Sequence, residues 1–299
     1  MNPPPVAAPS QVISPQSIAA MLLLALLWGL SIPVTKLGLE TTPPMLLTAL
    51  RYAIAVPLFL VLLPGRGRLP RSALPQVALL GILGIGIGQV SQTLGIVGTS
   101  ASTGTVISAM IPVFVVIFAA WRLRQRVTGW QRLGIALAFA GIAAVAMGQG
   151  GEGAARTTLQ GAVLVLLSAV TISLYYVWSI EIAARHGTVA VVVWSTMAGF
   201  IAMLPWAVAE ARRVPFDLTF EAFAAAAYLG LVVTVAGLFL WLWILRTVPA
   251  RIAASVQFLQ PLVGIAASAL AFGDPMGPMF LLGGALVLAG VGLTVMRAP

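Results

Sequence analysis

Of the 299 residues, 60% are hydrophobic and only 8% are charged, against roughly 25% charged in a soluble domain, which excludes a water-soluble globular fold. The net charge of +9 comes from basic residues in short loops between apolar runs, a pattern of membrane topology rather than of a nucleic-acid partner. With no cysteine a disulfide framework is excluded, and the short alternating segments of a β-barrel are absent.

Residues 1–15 are proline-rich and hold no Lys or Arg, so they lack the basic start of a signal peptide and read as a disordered lead-in. Apolar runs of about 20 residues then recur, each long enough to cross a hydrocarbon core. They place spans at 16–39, 44–64, 73–97, 101–121, 129–148, 160–182, 188–209, 221–246, 250–272 and 277–297. The expected fold class is all-α and integral to the bilayer, with ten transmembrane helices.

Span 1 holds Pro33 and Lys36, and span 2 holds Arg51. Lys36 and Arg51 are the charges well within spans, both in the outer half, and such residues are functional candidates by default. Arg51 can reach Glu40 across the short hairpin as a structural pair. Lys36 can snorkel outward or offer its cation to a substrate carboxylate. In span 3, Gly81, Gly84, Gly88, Gln92 and Gly95 recur at three- to four-residue spacing, a smooth face for close helix contact. Gln89 and Gln92 are unusual in so apolar a run.

The prolines predict helix breaks. Pro112 in span 4 frees the carbonyl of Ser108, Pro261 in span 9 frees that of Gln257 beside Gln260, and Pro33 frees Gly29. Such acceptors hold an ammonium where they line a cavity; alternatively, neighbours re-satisfy them and the prolines only shape the helices. Span 6 offers Tyr175, Tyr176 and Trp178, and span 8 offers Trp241, rings on which an aromatic substrate can stack. Trp121, Trp130, Trp206 and Trp243 read as the interfacial belt. Gly134 and Gly141 in span 5, and Gly283 and Gly290 in span 10, are each seven apart, a spacing that suits helix packing or a homodimer contact.

The chain is written twice. Leu133 to Gly141 recurs as Leu282 to Gly290, 149 residues on, and the same offset sets Pro112 on Pro261, Gly81 on Gly230 and Gly88 on Gly237. The copies are 16–148 and 160–297, with a linker at 149–159. Five spans is an odd number, so the second copy enters the membrane inverted. Inverted repeats with a midplane site are the recurrent architecture of secondary transporters. With the N-terminus inside, eleven Lys and Arg fall on the inner side and four on the outer, which puts both termini in the cytoplasm.

All seven acids lie at or near span ends. A cation-drug antiporter would hold an embedded Glu, a sugar-phosphate exporter several cavity cations, and a phosphotransferase clustered acids for a metal. None of these sets is present, so neither metal nor cofactor is expected. The one histidine, His186, has no nucleophile, base or metal set around it, and no enzyme is expected.

Several motifs recur in order. They are Leu27-Trp28-Gly29 with Pro33 and Lys36, Leu50-Arg51-Tyr52, Leu259-Gln260-Pro261-Leu262-Val263, Phe272-Gly273-Asp274, and Gly283 to Gly290. Together they resemble the drug/metabolite transporter superfamily in its two-fold EamA-domain form. Asp274 stands where that family usually has Glu, and Gln125 holds the matching place in the first copy. Within the family the chain looks most like the YddG-type aromatic amino-acid exporters of bacterial inner membranes. The resemblance implies a central cavity lined by spans 1, 3, 4, 6, 8 and 9, with spans 5 and 10 as scaffold.

The expected function is export of amphipathic small metabolites, aromatic and other hydrophobic amino acids above all, by alternating access without a carboxylate for proton coupling. Efflux of neutral drugs, or an assembly role without transport, are the alternatives. The expected substrate-binding residues are Ser108, Gln257, Gln260, Gln89, Gln92, Lys36, Tyr175, Tyr176, Trp178 and Trp241. The partners are a small molecule and the lipid bilayer.

Overall fold

The computed structural model describes residues 14–62, 69–124, 126–147, 157–248, 253, 256–274 and 276–296. The expected lead-in, most of the linker at 149–159, and Gln125 lie outside the described residues. Among the described residues the chain is helical and contains no strand. Its helices are α1 (Pro15–Gly38), α2 (Pro44–Leu62), α3 (Leu74–Val97), α4 (Ala101–Arg122) and α5 (Gly129–Met147). They continue with α6 (Leu159–His186), α7 (Thr188–Arg213), α8 (Phe220–Thr247), α9 (Val256–Phe272) and α10 (Pro278–Met296). Seven of them, α1 to α4 and α6 to α8, are long and apolar enough to cross a membrane. The others hold shorter apolar runs at Gly129–Val145, Leu259–Phe272 and Pro278–Thr294. The protein is a multi-pass helical membrane protein.

Hydroxyl side chains start several helices by accepting a bond from an otherwise unpaired amide. Ser14 opens α1, Ser100 opens α4, Thr158 opens α6 and Thr219 opens α8. α6 and α7 run beyond the expected 182 and 209 to His186 and Arg213, because Arg and Glu continue a helix after its apolar face has ended. One residue joins them, Gly187 at φ +88°, a conformation that glycine adopts without steric strain.

The breaks expected at Pro33 and Pro112 are present. α1 is interrupted at Leu30, between Pro15–Gly29 and Ser31–Gly38, and α4 between Ala101–Ser108 and Ile111–Arg122. Pro261 differs. The helix runs through it unbroken, held there by a close crossing in which Gly29 of α1 lies against the Gln260 carbonyl and Val263. Two further irregularities carried no proline signal. α3 contains a π-helical segment at Ile82–Ile87 and α8 one at Tyr228–Ala236.

Glycines set the closest helix contacts. Gly134 of α5 meets the carbonyl of Gly290 in α10, and Gly141 meets that of Gly283. The two helices therefore run antiparallel, with their glycine faces turned to each other inside one chain. Apolar side chains of this pair, among them Val145, Val287 and Phe280, build a core with Met110, Val113 and Phe114 of α4. Elsewhere Gly81 of α3 lies on the Ser195 carbonyl of α7, and Gly230 of α8 on the Arg51 carbonyl of α2.

Charged side chains tie helix ends together. Lys36 Nζ donates to the carbonyls of Ile96 (2.8 Å), Val97 (3.4 Å) and Thr99 (2.8 Å), closing the C-terminus of α3. An ammonium has three N–H donors, and all three are used here, so the expected outward snorkelling gives way to a cap between helices. Asp274 Oδ2 accepts from the Ser102 amide at the start of α4 (2.8 Å), and Glu210 Oε2 from the Leu46 amide at the start of α2 (3.0 Å). Each places charge of the sign that its helix terminus favours.

Two outcomes test this scaffold. A Cβ on Gly134 would come within 2.6 Å of the Gly290 carbonyl. Gly134→Val should lower stability by about 1–3 kcal/mol, whereas Gly284→Ala, which meets nothing within 4 Å, should leave the melting temperature in detergent unchanged. Lys36→Met should destabilise by at least about 2 kcal/mol, since it strips a charged donor from three carbonyls; an unaltered melting curve would remove the capping role.

Candidate functional site

At membrane depth the polar side chains form a belt across several helices. Arg51 of α2 is its one cation. Its Nε donates to Thr234 Oγ1 of α8 (2.9 Å) and its Nη1 to Gln89 Oε1 of α3 (3.1 Å). The guanidinium lies 5.2 Å from the ring centre of Tyr52. The expected partner, Glu40, makes no ion pair with it. α2 places Arg51 against α3 and α8, where polar side chains from distant sequence replace the hairpin neighbour.

One turn along α3 from Gln89, the amide of Gln92 donates to Ser108 Oγ at 3.4 Å. This joins the belt to the break in α4, where Ser108 is the last residue of its first segment. Ser108 and Gln92 were both expected site residues, and the structure brings them together. Beside that break, Ser173 of α6 donates to the Ile111 carbonyl (2.9 Å).

The other end of the belt is aromatic. Trp28 Nε1 donates to the Val233 carbonyl (3.1 Å) within the π-helical segment of α8. Its ring lies 5.9 Å from that of Trp241, and Gly237 lies directly beneath it. The widened turn of a π segment loosens the regular backbone ladder, and here it presents Val233 to the indole and Leu229 to the Thr234 hydroxyl (2.8 Å). Tyr176 of α6 is half exposed, with its ring 5.7 Å from that of Tyr175. From α4 through α3, α2 and α8 to α1, the belt runs Ser108, Gln92, Gln89, Arg51, Thr234, Trp28 and Trp241.

Other expected residues lie elsewhere. Tyr175 is buried against Gly84, with its hydroxyl 2.9 Å from Ser195 Oγ, so it is a packing residue between α3, α6 and α7. Trp178 meets Trp121 at a tilt (5.6 Å) and Phe118 edge to face (6.2 Å). The Arg122–Glu181 ion pair (3.0 Å) lies at the same end, so this group belongs with the interfacial aromatics. The Gly29 carbonyl, which Pro33 cannot pair, lies at the close crossing with Gly264 of α9. The side chain of Gln257 lies outside the described residues, and that of Gln260 is half-buried with its backbone at the α1 crossing.

Sequence reading missed Thr234 as a site residue, left Trp28 as a family motif, and gave Arg51 a structural partner. For Arg51 the available signal was Gln89, a polar residue in the middle of an otherwise apolar α3. His186 borders a separate shallow cleft of about 170 Å³ with Ser72, Gln76 and Arg185. Among the described residues no three His, Cys, Asp or Glu come together as a metal-binding group.

The chain resembles several known proteins over most of its length. A "Probable terminal-alkyne amino-acid exporter" of Streptantibioticus cattleyicolor is 30% identical, covering 92% of each chain. An "Uncharacterized transporter" of Archaeoglobus fulgidus is 26% identical over 90% of this chain and 95% of its own. A "Probable amino-acid metabolite efflux pump" of Salmonella typhimurium is 26% identical over 92% and 93%. A crystal structure of another protein, 20% identical, superposes with a TM-score of 0.64 over 95% of this chain and 97% of that one. The family match falls in two stretches, residues 16–147 and 159–296. The chain belongs to the EamA-like transporter family.

Proposed function

We propose that this protein exports amphipathic small metabolites, amino acids with aromatic or other hydrophobic side chains, by alternating access across a bacterial inner membrane. The observation that carries the proposal is the belt at membrane depth, polar at Ser108, Gln92, Gln89 and Arg51 and aromatic at Trp28 and Trp241. A zwitterionic head and an apolar side chain need those two surfaces side by side. The two relatives named for amino-acid or amino-acid-metabolite export support the same cargo class.

The belt crosses α1 to α4 of the first copy and α8 of the second. In this reading all of α1 to α10 cross the bilayer, as two five-helix repeats at 16–148 and 160–297, with both termini cytoplasmic. The antiparallel contact of α5 with α10, equivalent helices at the 149-residue offset, supports inversion of the repeats. The π-helical segments support the repeat itself, since that offset lays Ile82–Ile87 on 231–236, within Tyr228–Ala236. Inverted repeats supply two related conformations, each open to one side.

No Asp or Glu among the described residues lies in the belt. Asp274 and Glu210 are occupied at helix starts, and Glu181 pairs with Arg122. Transport therefore follows the substrate gradient. In vesicles reconstituted with the purified chain, phenylalanine or tryptophan should move at the same rate with and without a pH gradient, and flux that vanishes when the gradient is collapsed would overturn the uncoupled mechanism. Gln92→Ala or Ser108→Ala removes one polar contact, worth ~1 kcal/mol. Either should raise the half-saturating concentration about fivefold at unchanged melting temperature, and unaltered kinetics would take both residues out of the site.

A further inference from the structure

Arg51 is a cation in the membrane-spanning part of α2 that makes no ion pair among the described residues. A charge at that depth is disfavoured by several kcal/mol unless it is paired or hydrogen-bonded. Its contacts are a hydroxyl, an amide oxygen and an aromatic face. All three orient the guanidinium, and none carries a negative charge. Guanidinium has five N–H donors. One is held by Thr234 and one by Gln89, which leaves three without a partner among the described residues.

The contrast with Lys36 is direct. That cation saturates its three donors on carbonyls at a helix end, where the helix dipole is negative. Arg51 is fixed from both sides by α3 and α8 and still has donors in the planar fork that suits a carboxylate. Close by, Gln92 directs its amide NH₂ to Ser108, so its carbonyl oxygen remains an acceptor, one helical turn from Gln89.

We infer that Arg51 anchors the carboxylate of the transported molecule and that the Gln92 carbonyl oxygen receives its ammonium, so that the cargo is an α-amino acid held by both ends of its zwitterion. This rests on the transport reading above and names the group that would select within it. The side chain of the cargo then falls toward Trp28 and Trp241. The 149-residue offset places Phe200 opposite Arg51, so the second copy has no matching cation and the chain holds one anchor. Compounds lacking the carboxylate meet an unpaired guanidinium and bind weakly. Those lacking the ammonium lose the smaller, neutral contact.

The test uses the full chain in detergent and in vesicles, with phenylalanine, tryptophan and leucine, each beside its amide and its decarboxylated amine. The wild-type chain should be stabilised by the free acids at concentrations at least tenfold below those needed for the amides or amines, with the same order in flux. Arg51→Gln should bring the acid-to-amide ratio to about one, and Arg51→Lys should keep an intermediate ratio. A wild-type chain that moves acids and amides equally leaves transport standing and overturns the anchor, as does Arg51→Gln with an unchanged ratio. A wild-type chain that moves none of the compounds overturns the transport reading and the anchor with it. If Arg51→Gln fails to fold, the wild-type ligand series and Arg51→Lys decide the matter.

Discussion

In hydrocarbon there is no water to satisfy a bare backbone group, and each one left unpaired costs several kcal/mol. That constraint organises this protein. Every helix end and every break needs a partner, and the chain's few polar side chains are largely given over to the task. Lys36 closes α3, Asp274 and Glu210 start α4 and α2, and Trp28 reaches a carbonyl in the π segment of α8. Once those groups are committed, little polar chemistry is left at membrane depth. Arg51, Gln92 and Ser108 stand out against that background because their bonding capacity is not fully used by the scaffold.

The second organising element is close approach. Glycine on glycine at α5 and α10, and glycine on a carbonyl between α3 and α7 and between α8 and α2, let helices touch through their backbones. Without a hydrophobic force between helices in lipid, van der Waals contact over such faces supplies the attachment. It also fits the continuity of α9 through Pro261. A crossing with α1 through Gly29 and Gly264 holds that stretch from outside, whereas the prolines of α1 and α4 act within helices that separate into two segments.

Much of this was legible in the sequence. Apolar runs marked most of the helices to within a few residues, and Pro33 and Pro112 marked two real breaks; the Ser and Thr side chains that start several helices were not read from the sequence. Gln92 and Ser108 were recognisable because polar residues in apolar runs need a reason. The π segments were not legible, since no proline or other local breaker marks them; close helix contacts at Gly84 and Gly230 fall within them. Arg51 was assigned to Glu40 because the two share a hairpin, but its partners lie 38 and 183 residues away. Tyr175, Tyr176 and Trp178 are close in sequence but meet different surroundings: Tyr175 is buried against Gly84, Tyr176 beside it is half exposed, and Trp178 lies with Trp121 and Phe118.

Gly187 has a mechanical consequence. It alone joins a 28-residue helix to a 26-residue one, so there is no slack at that end. α6 and α7 are clamped at one tip like the arms of tweezers, and neither slides past the other there. α6 bears on the break of α4 through Ser173, and α7 bears on α3 through Ser195. Any tilt of one helix against the other must be taken up at that single residue, and each helix bears on a different wall of the first copy.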